Sequence, residues 1–323
     1  TRSIAVTGVQ TCALPISPLK THGGKGAYAG KLARWIIAQL PPPESYTVYG
    51  EHYCGGASVA LHFAPDRYEG KVEVVNDLNG LVSNFWQVLS HERGAELMKR
   101  EVDLFPFSEE LFDDACEFLD RPDWRSFGGG GFLSPATSPE VAAALAFLVV
   151  NRMSRQGNGK DFATLSTGRT RGGMCEQVSA FLSMVEGLPE VAQRVRRWFV
   201  FNRPAIDCAR RADSARTVHY FDPPYHPSTR SSLGEYGDFE MSDEDHQELL
   251  AAINKLEGCW YLSGYNCDLY EEWRESGDYL RLEYAIPNAA SSQATKPVMV
   301  ECLWTNANQW FPANVGSGFR LTQ

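Results

Sequence analysis

No apolar run in this sequence approaches the roughly 18–20 residues that a bilayer-spanning helix needs, and charged residues interrupt every region, so the chain reads as a soluble protein. The eight cysteines, at positions 12, 54, 116, 175, 208, 259, 267 and 302, include no Cys-x-x-Cys pair. That spacing argues against zinc clusters and redox motifs and fits reduced thiols in a cytosol. Basic residues are few for a protein that handles polyanions: 30 Lys and Arg stand against 40 Asp and Glu, a formal net charge of -10. Phosphate binding recruits Lys and Arg to the contact face, so any such face here must be local. There is no internal repeat and no low-complexity tract. The first seventeen residues have neither a cationic start nor a long apolar stretch, so they do not read as a signal peptide; 1–17 reads as a non-native or disordered leader.

What is present is a globular composition. With 43% hydrophobic residues over 323 positions, the chain can bury one sizeable core plus an inserted lobe, or two modest domains. The excess acid is blocked, in Glu109 to Asp120 and Glu235 to Glu248. The basic residues concentrate too: Arg152, Arg155, Lys160, Arg169 and Arg171 face only Asp161 in their window, and Arg194 to Arg216 leans the same way.

Apolar spacing predicts a helix over Tyr28 to Leu40, stopped by Pro41-Pro42-Pro43, then a short strand over Tyr46 to Tyr49, a glycine turn and a helix over Ala57 to Phe63. Val72 to Val75 reads as a second strand ending at Asn76-Asp77, and Gly80 to Leu89 as a helix. This alternation is the grammar of a doubly wound α/β sheet. From about Arg93 to Arg203 strand signals nearly vanish, and Ser138-Pro139-Glu140 opens a helix with a cap residue and an early proline. Alternation resumes with a strand over Thr217 to Phe221, a capping box at Ser242 to Asp245 opening a helix through Ile253, a strand over Trp260 to Leu262 and a helix over Asp268 to Trp273. Two strands, Tyr279 to Ala285 and Val298 to Trp304, close the sheet. The expected division is a first catalytic half at 18–92, a helical insertion at 93–204, a second catalytic half at 205–306 and a tail at 307–323.

Three segments carry chemistry. In Tyr220-Phe221-Asp222-Pro223-Pro224-Tyr225 a hydrophobic strand empties into an acid, two prolines and an aromatic. The prolines fix successive φ angles and remove two amide donors, leaving a rigid set of acceptors. An aryl amine is a poor nucleophile because its lone pair is delocalised. Hydrogen bonds from that amine to Asp222 and to the Pro223 carbonyl would favour a tetrahedral nitrogen whose lone pair can attack a methyl group, with Tyr225 stacked on the extruded base. The same tetrapeptide also serves as an ordinary strand-ending turn. The second segment, Tyr49-Gly50-Glu51-His52-Tyr53-Cys54-Gly55-Gly56-Ala57, is a strand entering a glycine turn before a helix N-terminus, which lets a ligand approach the backbone. Asp77, ending the next strand, stands where nucleotide-binding sheets hold a ribose, or else caps the helix starting near Asn79. The third, Lys20 to Gly26, suggests a P-loop but lacks its spacing and the Ser or Thr after Lys25, so a kinase or ATPase is disfavoured. His219 reads as a packed core residue.

The Gly-Gly-Lys segment, the Glu-x-Tyr-x-Gly-Gly turn, Asn76 to Asn79, the helical insertion and Asp-Pro-Pro-Tyr, in that order, resemble the Dam-type (alpha-group) family of DNA adenine N6-methyltransferases. Asn151 to Arg155, Pro227 to Arg230, Met241 to His246 and Ser263 to Tyr265 are similar to phage and prophage members. The resemblance covers roughly Pro18 to Asn306. It implies a Rossmann-like methyltransferase sheet with a mainly helical target-recognition lobe, and methyl transfer from S-adenosylmethionine to a flipped-out adenine. It further implies catalysis by Asp222, Pro223, Pro224 and Tyr225, and cofactor binding by Lys25, Glu51, Tyr53, Gly55, Gly56, Asp77 and Asp222. DNA contacts would come from Asn151, Arg152, Arg155, Lys160, Arg169, Arg171 and Arg230, with no metal. Double-stranded DNA is the implied partner, with a cognate restriction endonuclease as a second one in a restriction-modification setting. A monomer or weak dimer in the cytoplasm of a bacterial or phage-infected cell completes the expectation.

Three positions depart from that pattern: Thr21 replaces an aromatic residue, His52 a proline and Ala57 a third glycine. Those departures, with the acidic balance, keep open a catalytically silent protein that binds DNA or S-adenosylmethionine. Transfer to the cytosine N4 amine is a further alternative, although that group typically carries Ser before the prolines.

Overall fold

A strand buried on both faces needs a sheet covered on both sides, the usual setting of parallel strands, and Thr217–Phe221 is buried at all five positions. The structure, a computed structural model, describes residues 17–20, 29–122, 124, 133, 137–157, 159–163, 168, 170–171, 173–230, 234, 236–287 and 298–310. In chain order the elements are α1 (Ala29–Gln39), β1 (Val48–His52), α2 (Ser58–Leu61), α3 (Pro65–Tyr68), β2 (Val72–Asn76), α4 (Gly80–Ser90), α5 (Glu92–Val102), α6 (Glu109–Leu119) and α7 (Pro139–Met153). They continue with β3 (Thr170–Arg171), β4 (Met174–Cys175), α8 (Glu176–Val195), β5 (Trp198–Phe201), α9 (Ala205–Ala212), β6 (Thr217–Phe221), α10 (Asp243–Ile253) and β7 (Cys259–Gly264). The last are α11 (Asp268–Gly277), β8 (Leu280–Pro287), β9 (Val298–Thr305) and α12 (Ala307–Trp310).

Seven strands form one sheet in the order β5-β2-β1-β6-β7-β9-β8. The pairs from β5 to β7 are parallel, whereas β9 runs antiparallel to both neighbours. This mostly parallel α/β sheet is compatible with a Rossmann-like fold. The chain steps outward from β1 to β2 to β5, then returns to lay β6 on the other side of β1. A reversal of that kind opens a crevice at the carboxyl ends of the two central strands, where open α/β sheets bind ligands.

Local chemistry explains several helix starts. Ser138 Oγ accepts from Val141 N–H at the start of α7, and the Ser242 to Asp245 capping box is present at α10. Several strands differ from the sequence reading, β1 and β5 most of all. β1 continues through Gly50 to His52, because a Cβ at Gly50 would lie 2.9 Å from His52 Nε2 and glycine alone lets the imidazole lie against the strand. β5 lies inside 93–204, the stretch read as helical, yet it pairs with β2 as an edge of the main sheet. Its short apolar run cannot be told from a buried helix segment by periodicity. The insertion is not insulated from the sheet: one apolar cluster runs from Tyr49 and Val75 through Trp86 on α4 to Leu145 on α7 and Leu188 on α8. No described helix is long and apolar enough to cross a membrane.

Candidate functional site

β1 and β6 are adjacent and in register, with His52 opposite Phe221, so the residues that follow each strand emerge side by side. The Asp222 N–H reaches across to the His52 carbonyl at 3.3 Å. Both turns open on one cavity of about 890 Å³, lined among others by Glu51, Tyr53, Gly55, Asp77, Asp222 and Tyr225. Pockets for small organic ligands span roughly 300–1,000 Å³.

The turn after β1 is held from several directions. Gly55 N–H donates to Asp77 Oδ2 at 2.8 Å, and Trp86 Nε1 donates to the Gly55 carbonyl at 2.8 Å. Gly55 has φ 46°, and Tyr53 and Ala57 are left-handed too, at 60° and 49°. Non-glycine residues pay a steric cost there, which is concentrated at ligand sites, and Ala57 stands in the conformation that favours glycine. Asp77 also accepts from Asn79 N–H at 2.9 Å, while the helix cap of α4 is Asn79, whose Oδ1 takes Leu81 N–H. Burial raises the Asp77 carboxyl, against the pull of its two backbone donors.

His52 stacks on Phe221, with centroids 4.7 Å apart. Its Nε2 lies 3.1 Å from His219 Nδ1, and His219 Nε2 lies 3.1 Å from Asp213 Oδ1. With Asp213 ionised, His219 donates to Asp213 and His52 donates to His219. Burial, then the neighbouring His219, hold His52 far below its usual range, so the His52 ring stays neutral. His219 is therefore a core residue, as its apolar strand suggested.

Glu51 is buried, and its Oε2 accepts from Ala60 N–H at 2.8 Å and from the Tyr49 hydroxyl at 3.2 Å. Burial pushes its carboxyl up to about 8, with the charge of Asp222 adding to the shift against those hydrogen bonds. An acid with a raised folded-state pKa binds more protons folded than unfolded, so its contribution to stability falls as pH climbs from 4.5 to about 8. Glu51→Gln removes that slope. The melting temperature of the variant relative to the wild type is expected to rise across this window in calorimetry at fixed salt; a difference flat with pH would show that Glu51 is not held neutral.

At the β6 corner Pro223, Pro224 and Tyr225 are buried and Asp222 half-buried. The Tyr225 hydroxyl donates to Glu301 Oε1 and also lies 3.4 Å from Asp222 Oδ1. The Tyr225 ring borders the cavity and meets Tyr265 edge-on at 4.8 Å.

The residues read as DNA contacts separate into two groups. Arg155, Lys160 and Arg171 are exposed, Arg171 on the short hairpin of β3 and β4. The others are engaged inside the protein. Asn151 grips the backbone of Lys20 in both directions at 2.6 Å. Arg152 donates to the Ala180 carbonyl at 2.9 Å, and burial lowers its guanidinium to about 10. Arg230 holds Glu240 through both carboxylate oxygens, with Nη1 to Oε1 at 3.1 Å, and lies over the Tyr236 ring. It thus ties residue 230 to residue 240, and is not presented to a phosphate. Lys25 and Arg169 lie outside the described residues, as do Thr21 and 1–16 of the leader.

Sequence reading missed the far wall. Tyr236, Asp238, Phe239, Asp245, Glu248 and Lys255 line the cavity from α10 and the chain on either side of it, and Asp207 and Arg210 from α9. The helical period of α10 was visible, but which of its polar side would face a cavity is decided by packing on the sheet. Among the described residues, eight Asp and Glu line the cavity against three basic ones, Lys20, Arg210 and Lys255. A pyrophosphate-bearing ligand is disfavoured by that balance and a cation favoured. No protein-family model matches the chain, and no curated protein matches it.

Proposed function

We propose that the protein is a DNA adenine N6-methyltransferase that uses S-adenosylmethionine. The observation that carries the reading is the meeting of two turns over one cavity: the glycine turn after β1 and the Asp222-Pro223-Pro224-Tyr225 corner after β6 adjoin at the point where the strand order reverses. The methyltransferase sheet and the recognition role of the helical insertion are parts of the same proposal.

The residues fit such a cofactor. Asp77, with backbone donors on both oxygens, keeps lone pairs for ribose hydroxyls, and the glycine turn leaves room for a ligand against the backbone. The acid-rich lining suits a sulfonium cation over a phosphate ester. When bound, the sulfonium supplies an activated methyl group and its own leaving group. The chain supplies position and charge. Asp222 and the Pro223 carbonyl accept from the exocyclic amine, directing its lone pair along the line of transfer. Tyr225 and the proline corner form the wall that keeps water out and the purine flat. Adenine must leave the duplex to reach this corner, a few kcal/mol of unstacking that DNA contacts offset.

The experiment incubates the protein with labelled S-adenosylmethionine and unmethylated duplex DNA, then digests the DNA to nucleosides. N6-methyl-2′-deoxyadenosine is the expected product. Label on the cytosine N4 amine would move the acceptor, and calorimetric cofactor binding with no transfer to any DNA would favour the silent binding protein.

The exposed cations give a separate expectation. Arg155→Ala, Lys160→Ala and Arg171→Ala combined should weaken DNA binding alike for all sequences, and each lost phosphate contact should reduce the slope of log affinity against log salt by about 0.9. Fluorescence anisotropy over a salt series checks this; an unchanged slope would take DNA off this face.

A further inference from the structure

Transfer of a methyl group to an amine leaves a proton to be disposed of. The N6 lone pair forms the new N–C bond, the S–C bond breaks with its electron pair staying on sulfur, and N6 then carries one hydrogen too many. Asp222 is placed to receive it, but Asp222 borders the cavity beside other carboxylates and must be returned to its charged form before the next turnover. Behind it lies a second carboxyl, removed from the cavity. Glu301, on the antiparallel strand β9, has no solvent exposure. Its Oε1 accepts from the Tyr225 hydroxyl, and the same hydroxyl oxygen stands 3.4 Å from Asp222 Oδ1.

A phenol has one proton and two acceptor lone pairs. That proton is committed to Glu301, by far the closer of the two oxygens, so the contact between Asp222 and Tyr225 acquires its own proton only when Asp222 is protonated. We propose that Glu301 is the terminal holder of the proton shed by the target amine, reached from Asp222 through the Tyr225 hydroxyl. This rests on the methyltransferase reading.

The steps balance. N6–H breaks and Asp222 Oδ1–H forms; the Asp222 proton then passes to the phenol oxygen as the phenol proton passes to Glu301 Oε1. Asp222 ends as a carboxylate, Tyr225 as a phenol and Glu301 as a neutral acid. The direction comes from burial: neutralising a carboxylate inside protein is more favourable than neutralising a half-exposed one. Burial and the two flanking carboxylates hold the Tyr225 phenol far above its usual range, so it conducts without ionising. The edge-on contact of Tyr265 fixes the ring that carries the bridge. When the product base leaves, the reverse path discharges the proton through Asp222 to water in the cavity. Glu301 acts through Tyr225 and touches no substrate, so it is a positioning and proton-holding residue.

The test compares wild type, Glu301→Gln, Tyr225→Phe and the double variant in multiple-turnover methyl transfer over a range of pH. Melting temperature and calorimetric binding of S-adenosylmethionine are measured on each. The expected result is a fall of about 10²-fold in each single variant with cofactor affinity kept, and a deficit that shrinks between about pH 6 and about pH 9 as solvent base takes over. The double variant should be no slower than either single one, as for groups acting as a unit. Tyr225→Phe keeps both the ring and Glu301, so it carries the test if Glu301→Gln folds poorly. Wild-type rates in Glu301→Gln, a pH-independent deficit, or additive losses would overturn the role of Glu301 and leave the methyltransferase reading standing. Absence of transfer by the wild type would overturn both.

Discussion

Asp222→Ala is expected to lower single-turnover methyl transfer by about 10³-fold, or about 4 kcal/mol of barrier, while the melting temperature stays at or slightly above the wild-type value. The two halves have different causes. A positioned acceptor for a reacting proton contributes typically about 10²–10⁴-fold, and Asp222 is the side chain of this corner offered to the amine in the proposed geometry. The backbone of the corner does not depend on that side chain. Its N–H bonds the His52 carbonyl, and Pro223 and Pro224 stiffen the next two positions. The carboxylate also raises the Glu51 carboxyl, a like-charge cost that alanine removes. Asp222→Asn keeps one acceptor oxygen but can neither carry charge nor take a proton, so it should fall between wild type and alanine. Rapid-quench assays with labelled cofactor, beside calorimetric melting, separate the effects. A near-wild-type rate in Asp222→Ala would remove the corner from the chemistry.

How much of the molecule could be read from residues alone depended on whether the cause was local. β6 and α10 were legible to the residue, because an apolar run ending at Asp222 and a Ser242 to Asp245 capping box are complete statements within a few positions. The closing pair β8 and β9 was legible as two strands, but not the insertion of β9 between β7 and β8, since strand order is settled by packing. The two turns of the site were legible; their adjacency was not, because 169 residues separate His52 from Phe221 and only the ladder joins them. Charges were the least legible. Arg152 and Arg230 count equally with Arg155 as basic residues, yet the first two are bound to Ala180 and Glu240. Glu301 gives no local signal at all, being one acid in an apolar strand, and its meaning comes from a tyrosine 76 residues away.

Glu73 shows the same long-range logic and carries the largest stability effect. It sits on β2 with 1% side-chain exposure and takes Arg194, from the end of α8, through both oxygens at 2.9 and 2.5 Å. Arg197 adds a contact at 3.2 Å, and the Tyr68 ring lies against both guanidinium groups, 4.0 and 4.6 Å from their carbons. Arg194 also donates to the Ala60 carbonyl at 2.9 Å, while Ala60 N–H donates to Glu51. The cluster therefore ties the last helix of the insertion to the sheet and to the helix that follows the glycine turn. Arg194→Ala leaves Glu73 buried with only the half-exposed Arg197, and breaking such a pair costs about 3–5 kcal/mol. The expected result is a clearly lowered denaturation midpoint, together with weaker S-adenosylmethionine binding because the Ala60 end of the turn loosens. Replacing both partners by apolar residues of similar size, Glu73→Leu with Arg194→Met, removes the orphaned charge and should recover most of the loss. Chemical denaturation of the two single variants and the double variant decides it. Equal losses in all three would mean that packing of the long side chains, not the buried charge, holds α8 to the sheet.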